Sequence, residues 1–125
     1  MTHDRLHQFR DQRAAGQARL QAAEHLGINR FLRLDGAAYE DASATGGLDA
    51  NTKELLGLVA SAVLRCDDCI NYHLEQCVNL GMTRKQLEDA LNVALVVGGS
   101  IVIPHARRGL LFLDECLAER EARGS

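Results

Sequence analysis

The amino-acid sequence predicts a single all-α domain of about six helices, and three observations lead to this expectation. A chain of 125 residues is long enough for one hydrophobic core but too short for two. Aromatic residues make up only 4% of the chain, while small and aliphatic residues dominate, which favours closely packed helices over a sandwich of strands. Apolar residues also recur at helical spacing, and no strand-like alternation is visible.

Composition and charge exclude several classes of partner. The formal net charge is -3 and the charged residues are interspersed, so we expect neither nucleic-acid nor membrane binding. The longest uninterrupted run of apolar residues, 93–97, is far shorter than the roughly 20 residues that a membrane span needs. The N-terminus is polar and has no apolar signal-peptide segment, so we expect a cytoplasmic protein.

The one compact domain is predicted to have two parts, an N-terminal helical segment over residues 1–44 and a helical core over residues 45–125. In the first part we expect helices over residues 4–26 and 28–42, with Gly27 as the stop between them. The first of these helices carries a thin apolar stripe made by Leu6, Phe9, Leu20, Ala23 and Leu26.

The core begins after a glycine-containing loop and is expected to hold four helices. Asp49 is a predicted N-cap, and the helix after it includes an apolar run, residues 55–64, that should be buried on most faces. The next helix is expected over residues 67–80, closed by Gly81. A capping box at residues 83–86 opens a helix that ends at Gly98-Gly99. The last helix should cover residues 104–120, with these residues inward: Leu110, Leu111, Leu113, Cys116 and Leu117.

A cysteine pair of the form CxxC is the centre of the predicted chemistry. Cys66 and Cys69 are close enough in sequence to form a disulfide, and in a reducing compartment such a pair indicates catalysis, redox sensing or metal binding. His73 lies one helical turn after Cys69 and can act as the base that raises the thiolate fraction. Glu54, on the preceding helix, can orient that imidazole. The candidate catalytic residues are therefore Glu54, Cys66, Cys69 and His73.

Zinc binding is an alternative, because Cys77 lies two turns beyond Cys69 and could join the pair and His73 as a ligand. Ligands strung along two turns of one helix converge poorly on a tetrahedral centre, so the spacing disfavours this alternative. Cys77 and Cys116 are better interpreted as small buried apolar residues. A redox sensor without substrate turnover is a further alternative.

His105 and the apolar helices raise two further expectations. His105, which follows the single proline, could reach the site from the last helix, although an isolated histidine is more often structural. Two nearly all-apolar helices need more burial than one small domain provides, so we expect a homo-oligomer.

The motif and its surroundings resemble the AhpD-like and carboxymuconolactone decarboxylase superfamily. The resemblance rests on Glu54, the Cys66-x-x-Cys69 pair and His73, together with the flanking sequence at residues 47–55 and the glycines at 81, 98 and 99. It covers roughly residues 45–117. It implies an all-α fold, trimers or hexamers, and reduction of peroxides or disulfides through the CxxC pair, rather than the decarboxylation catalysed by members without the cysteines.

The resemblance also implies roles for the site residues. Cys69 would attack the peroxide, Cys66 would form the disulfide with it, and His73 and Glu54 would relay the proton. Well-characterised peroxidase members have a histidine before the second cysteine, whereas this chain has Asp68, which disfavours a thiolate beside it. The sequence has no GxGxxG or P-loop motif, so no nucleotide cofactor is expected, and a thioredoxin-like or lipoyl-bearing protein is the expected reductant.

Overall fold

The computed structural model describes residues 2–124 and is all-helical over that range, as predicted. Two single-turn 3-10 helices, at Ser43–Thr45 and Ser100–Val102, lie in the connections. No helix within residues 2–124 combines the length and apolar character needed to cross a bilayer. The six α-helices are α1 (Asp4–Ala22), α2 (Leu26–Ala38), α3 (Ala50–Val63), α4 (Asp67–Asn79), α5 (Arg84–Gly98) and α6 (Ile103–Gly124).

The hydrophobic core lies between the last four helices. Helix α3 packs against α4 and α5, and α6 covers the other side of α4. Helix α1 lies on α6, where the buried Phe9 ring meets the edge of Phe112 with ring centroids 5.3 Å apart. The main fully buried side chains are Leu6, Leu58, Ile70, Leu74, Leu87, Phe112 and Leu113.

Several predicted helix ends are confirmed. The Asp49 carboxylate accepts a hydrogen bond from the Thr52 amide at 2.7 Å and so caps α3. Thr83 and Gln86 form both hydrogen bonds of the capping box that opens α5. Gly81 follows α4 with φ of +89°, the left-handed conformation that glycine adopts without strain.

The connection between α3 and α4 is very short and contains Cys66. The Arg65 amide donates to the Ala62 carbonyl at 3.0 Å, and the Cys66 amide donates to the Ser61 carbonyl at 3.1 Å. These two hydrogen bonds are those of a Schellman motif, and Arg65 has the left-handed φ of +61° that this motif requires. Cys66 ends the motif and also serves as the N-cap of α4. One residue therefore links the end of α3 to the start of α4.

The predicted boundary between the first two helices is wrong. Helix α1 ends at Ala22 and α2 begins at Leu26, so Gly27 lies inside α2 instead of stopping a helix. The cause is His25, whose Nδ1 accepts hydrogen bonds from the amides of Gly27 and Ile28 and caps α2. A side-chain cap thus sets the start of α2 earlier than the glycine suggested.

Parts of the predicted apolar stripes are also wrong. The stripe of α1 is buried only at Leu6 and Phe9, whereas Leu20 and Leu26 are 38% and 60% exposed. Ala23, which follows the end of α1, is exposed as well. Helix α1 therefore buries only its first turns within this chain.

Two apolar segments of the core also face outward in part. Leu111 is exposed because a residue two positions before Leu113 lies on the opposite side of a helix. The run over residues 55–64 is buried or half-buried on most faces, as predicted, and only one stripe, which includes Leu56 and Leu64, is exposed. Helix α6 begins one residue earlier and ends four residues later than predicted.

Candidate functional site

Cys66 and Cys69 are joined by a disulfide at the first turn of α4. Their Cα atoms are 5.3 Å apart, within the ordinary range for a disulfide. The Cys66 sulfur accepts a hydrogen bond from the Cys69 amide at 3.3 Å, which places it at the positive end of the helix dipole. When the pair is reduced, this position favours the thiolate form of Cys66.

His73 and Glu54 form a buried pair behind the disulfide. His73 Nδ1 lies 3.2 Å from Glu54 Oε2, and the two residues are only 7% and 5% exposed. A carboxylate can only accept here, so Nδ1 carries a hydrogen and Nε2 is the nitrogen free to accept a proton. Glu54 therefore orients the imidazole, which is the contact that the sequence predicted between α3 and α4.

Gly57 makes this contact possible, and sequence reasoning did not select it. A Cβ atom at Gly57 would lie 2.5 Å from His73 Cε1 and 2.7 Å from Nε2. The His73 ring therefore packs directly on the backbone of α3, where only glycine leaves room for it. A glycine within an otherwise apolar helix, one turn after Glu54, was the available signal in the sequence.

A cleft of about 200 Å³ opens over the histidine. Helix α4 supplies four of the lining residues, and the others come from α1, α2 and the C-cap of α2. Cys69 is exposed in the cleft, whereas Cys66 is half-buried and does not line it. Of the two cysteines, Cys69 is therefore the one that a small molecule in the cleft can contact. The full lining is Arg13, Asp35, Tyr39, Asp68, Cys69, Tyr72 and His73.

Both tyrosines of the chain border the cleft, and sequence reasoning did not assign either to the site. The Tyr39 hydroxyl lies 3.4 Å from His73 Nε2. The Tyr72 ring packs edge-on against the His73 ring, with centroids 5.1 Å apart, and supports the Arg13 guanidinium over its face at 4.2 Å. Tyr72 precedes His73, which is a weak signal, but nothing in the sequence links Tyr39 to α4.

His105 lies outside the cleft and holds the first residue of α4. Its Nδ1 lies 2.6 Å from Asp67 Oδ1, and Arg108 Nε donates to Asp67 Oδ2 at 2.7 Å. Burial disfavours the Asp67 carboxylate, but the hydrogen bonds from Arg108 and His105 outweigh it and lower the pKa of Asp67. Asp67 is therefore an ion-paired residue as well as a first-turn carboxylate, and His105 has a structural contact.

The other two cysteines are part of the core. Cys77 and Cys116 are free and buried, and burial raises the pKa of each thiol to about 12. Neither thiol is reactive at neutral pH. Within residues 2–124, no group of three or more His, Cys, Asp or Glu side chains is placed to hold a metal ion.

Known proteins resemble this chain in sequence and in fold. Residues 28–110 match the model of the carboxymuconolactone decarboxylase family. The uncharacterized protein H16_B0147 of Cupriavidus necator is 32% identical over 92 residues, which cover 74% of this chain and 78% of that protein.

Three solved structures of two proteins share the fold. A crystal structure of TM1620 from Thermotoga maritima has a TM-score of 0.84 and 49% identity, covering 94% of this chain and 98% of that one. A second TM1620 structure describes a carboxymuconolactone decarboxylase family protein with a suggested part in an antioxidative response. Apo-lpg0406 of Legionella pneumophila, of the same family, has a TM-score of 0.80 and 26% identity, covering 91% and 98% of the two chains.

Proposed function

Because this chain belongs to the carboxymuconolactone decarboxylase family and carries a CxxC pair beside a buried His–Glu pair, we propose that it is a thiol-dependent peroxidase that reduces organic hydroperoxides. One observation carries the proposal: Cys69 and His73 line the same cleft, and the Cys69 sulfur is within bonding reach of Cys66. The antioxidative role suggested for TM1620 supports the same chemistry.

The proposed reaction begins with the reduced cysteine pair. His73 Nε2 takes the proton of the Cys69 thiol, and Glu54 stabilises the imidazolium that forms. The Cys69 thiolate attacks the terminal oxygen of the hydroperoxide, the O–O bond breaks, and the products are a Cys69 sulfenic acid and an alcohol. The Cys66 sulfur then attacks the Cys69 sulfur and releases water. The dithiol loses two electrons, the peroxide gains them, and the disulfide remains.

Restoring the dithiol requires an external reductant. We propose a thioredoxin-like or lipoyl-bearing protein as its source, since a dithiol can reduce the Cys66–Cys69 disulfide through a mixed disulfide. Cys69 is the more exposed residue of the pair, so we propose that the attacking thiol of the reductant reacts there. The proposed setting is the cytoplasm, where such reductants are present.

The proposal includes assembly into a homo-oligomer, a trimer or hexamer. Its support is the apolar surface that α2, α3 and α5 leave exposed on a single chain. The exposed side chains of this surface include Phe31, Leu34, Leu56, Leu64, Val93, Val96 and Val97.

A single-turnover experiment tests the peroxidase proposal. The protein is reduced, freed of reductant and mixed with cumene hydroperoxide, and peroxide and thiols are counted together. Wild type should consume one peroxide and lose two thiols per chain. Cys66→Ser should consume one peroxide and hold a sulfenic acid that dimedone traps, whereas Cys69→Ser should consume none.

The matched control is Cys116→Ala, which removes a buried thiol outside the cleft and should behave as wild type. Reaction of Cys69→Ser but not of Cys66→Ser would reverse the two cysteine roles. The peroxidase proposal would be contradicted if the wild-type dithiol did not react with peroxide. Rapid exchange with protein disulfides in that case would favour a disulfide reductase or redox sensor.

A further inference from the structure

Tyr39 occupies a position that the cysteine and histidine chemistry leaves unexplained. It is the C-cap residue of α2, and it approaches His73 from the side opposite to Glu54, which holds Nδ1. Its ring centroid lies 5.2 Å from that of His73, and its hydroxyl reaches toward Nε2 across 3.4 Å. The same residue lines the cleft that contains Cys69.

The turn that follows Tyr39 is fixed by hydrogen bonds. The Asp41 carboxylate accepts from the Ser43 amide at 2.9 Å and from the Ala50 amide at 3.2 Å. Lys53 Nζ donates to the Glu40 carbonyl at 2.7 Å and ties the turn to α3. These hydrogen bonds hold the end of α2 against α3, the helix that carries Glu54. The position of Tyr39 is therefore fixed by the contacts of the residues that follow it as well as by its contact with His73.

The Glu54 carboxylate determines which partner donates in the hydrogen bond between Tyr39 and His73. With a hydrogen on Nδ1 facing Glu54, neutral His73 accepts at Nε2, so the Tyr39 hydroxyl is the donor. Burial, and then the negative charge of Glu54, raise the pKa of Tyr39, so the phenol keeps its proton at neutral pH. A proton donor is therefore held in the cleft next to Cys69 and His73.

Cleavage of an alkyl hydroperoxide needs such a donor, because the electron pair of the broken O–O bond is left on a strongly basic alkoxide. We propose that Tyr39 is a catalytic residue that protonates the leaving alkoxide, an inference that rests on the peroxidase function proposed above. The Cys69 thiol gives its proton to His73 Nε2, and the thiolate takes the terminal OH of the hydroperoxide. The alkoxide takes the Tyr39 proton, and imidazolium Nε2 returns a proton to the phenolate. One proton thus moves from the Cys69 thiol to the alcohol.

Two peroxides with different leaving groups separate this role from a structural one. tert-Butyl hydroperoxide leaves a strongly basic alkoxide that requires a proton, whereas peracetic acid leaves acetate, which does not. With reduced Tyr39→Phe, the rate constant for tert-butyl hydroperoxide should fall by about a hundredfold, the lower range for loss of a general acid, while that for peracetic acid stays within about twofold.

Tyr72→Phe is the matched control, since it removes the only other tyrosine hydroxyl and leaves an aromatic ring beside His73. Its ratio of the two rate constants should equal that of wild type. Equal slowing of both reactions by Tyr39→Phe, or no slowing of either, would overturn the role of Tyr39 while the peroxidase function stands. A wild-type protein inert to tert-butyl hydroperoxide would overturn the proposed function, and the role of Tyr39 with it.

Discussion

The position of His73 depends on the absence of a Cβ atom at Gly57. The His73 ring occupies the space where a Cβ of residue 57 would lie, and it is held there between α3 and Tyr39. Any side chain at this position must displace the imidazole, because the competing atoms are the ring of His73 and not the end of a flexible chain.

We predict that Gly57→Ala lowers the rate of Cys69 oxidation by hydroperoxide by roughly tenfold to a hundredfold, since a displacement near 1 Å misaligns a proton-transfer group. Stopped-flow mixing of the reduced variant with cumene hydroperoxide measures this rate. The control is Gly16→Ala in α1, where nothing lies within 4 Å of the added Cβ and the rate should not change. An unchanged rate in Gly57→Ala would show that the exact ring position is unimportant.

Sequence reasoning selected the cysteines, His73 and Glu54, but missed Tyr39 and Gly57, which belong to the site only through tertiary contacts. Cys69 and His73 lie one helical turn apart, so their shared face follows from the helix period alone. Tyr39 contacts His73 across 34 positions of sequence, and that approach depends on how α2 is placed. Gly57 is defined by a neighbour on another helix, which no local pattern reveals.

Two helix ends in the core have the same hydrogen-bonding pattern but different residues at the left-handed position. After α4 this position is Gly81, with φ of +89°, and after α3 it is Arg65, with φ of +61°. This left-handed conformation costs roughly 1 kcal/mol of free energy for a residue with a side chain, whereas glycine adopts it without that cost. The connection that carries Cys66 therefore has backbone strain that the connection after α4 lacks.

We predict that Arg65→Gly raises the free energy of unfolding by about 1 kcal/mol, because the Schellman motif keeps its hydrogen bonds and loses the strain. Urea unfolding followed by circular dichroism measures the change. Gly81→Ala provides the reverse test at the end of α4 and should destabilise the protein by a similar amount. A destabilised Arg65→Gly variant would mean that the Arg65 side chain makes a contribution larger than the strain.

The helices that the sequence located well begin or end with residues whose capping role is common. Asp49, Thr83 and Gly81 are of this kind, and each is confirmed. The start of α2 was misplaced because its cap is the imidazole of His25, a residue type rarely used this way. Burial was hardest to predict for α2, which has no buried residue within a single chain although its pattern is apolar.

The single chain leaves a broad apolar surface uncovered, and this bears on its state in solution. Val96 is 78% exposed on α5, and further apolar side chains are exposed on α2 and α3. Exposed apolar side chains in this number are typical of a chain that associates with a partner surface.

We predict that the protein sediments as a trimer or hexamer at micromolar concentration, and that Val96→Lys shifts it toward smaller species by placing a charge in the interface. Sedimentation velocity measures both. Gln21→Lys, on the exposed part of α1, is the control and should sediment as wild type. A wild-type monomer at micromolar concentration would contradict the prediction, and an intact Val96→Lys oligomer would exclude α5 from the interface.

The short connection at Cys66 also bears on the order in which the molecule folds. Glu54 and His73 are only 19 positions apart, so α3 and α4 can bring the histidine, its carboxylate and both thiols together with little loss of loop entropy. Contacts this local form early, whereas the approach of Tyr39 closes a longer loop. We therefore expect the folding chain to bring the two cysteines and His73 together before its cleft is complete, so that a folding intermediate already holds an oxidisable cysteine pair.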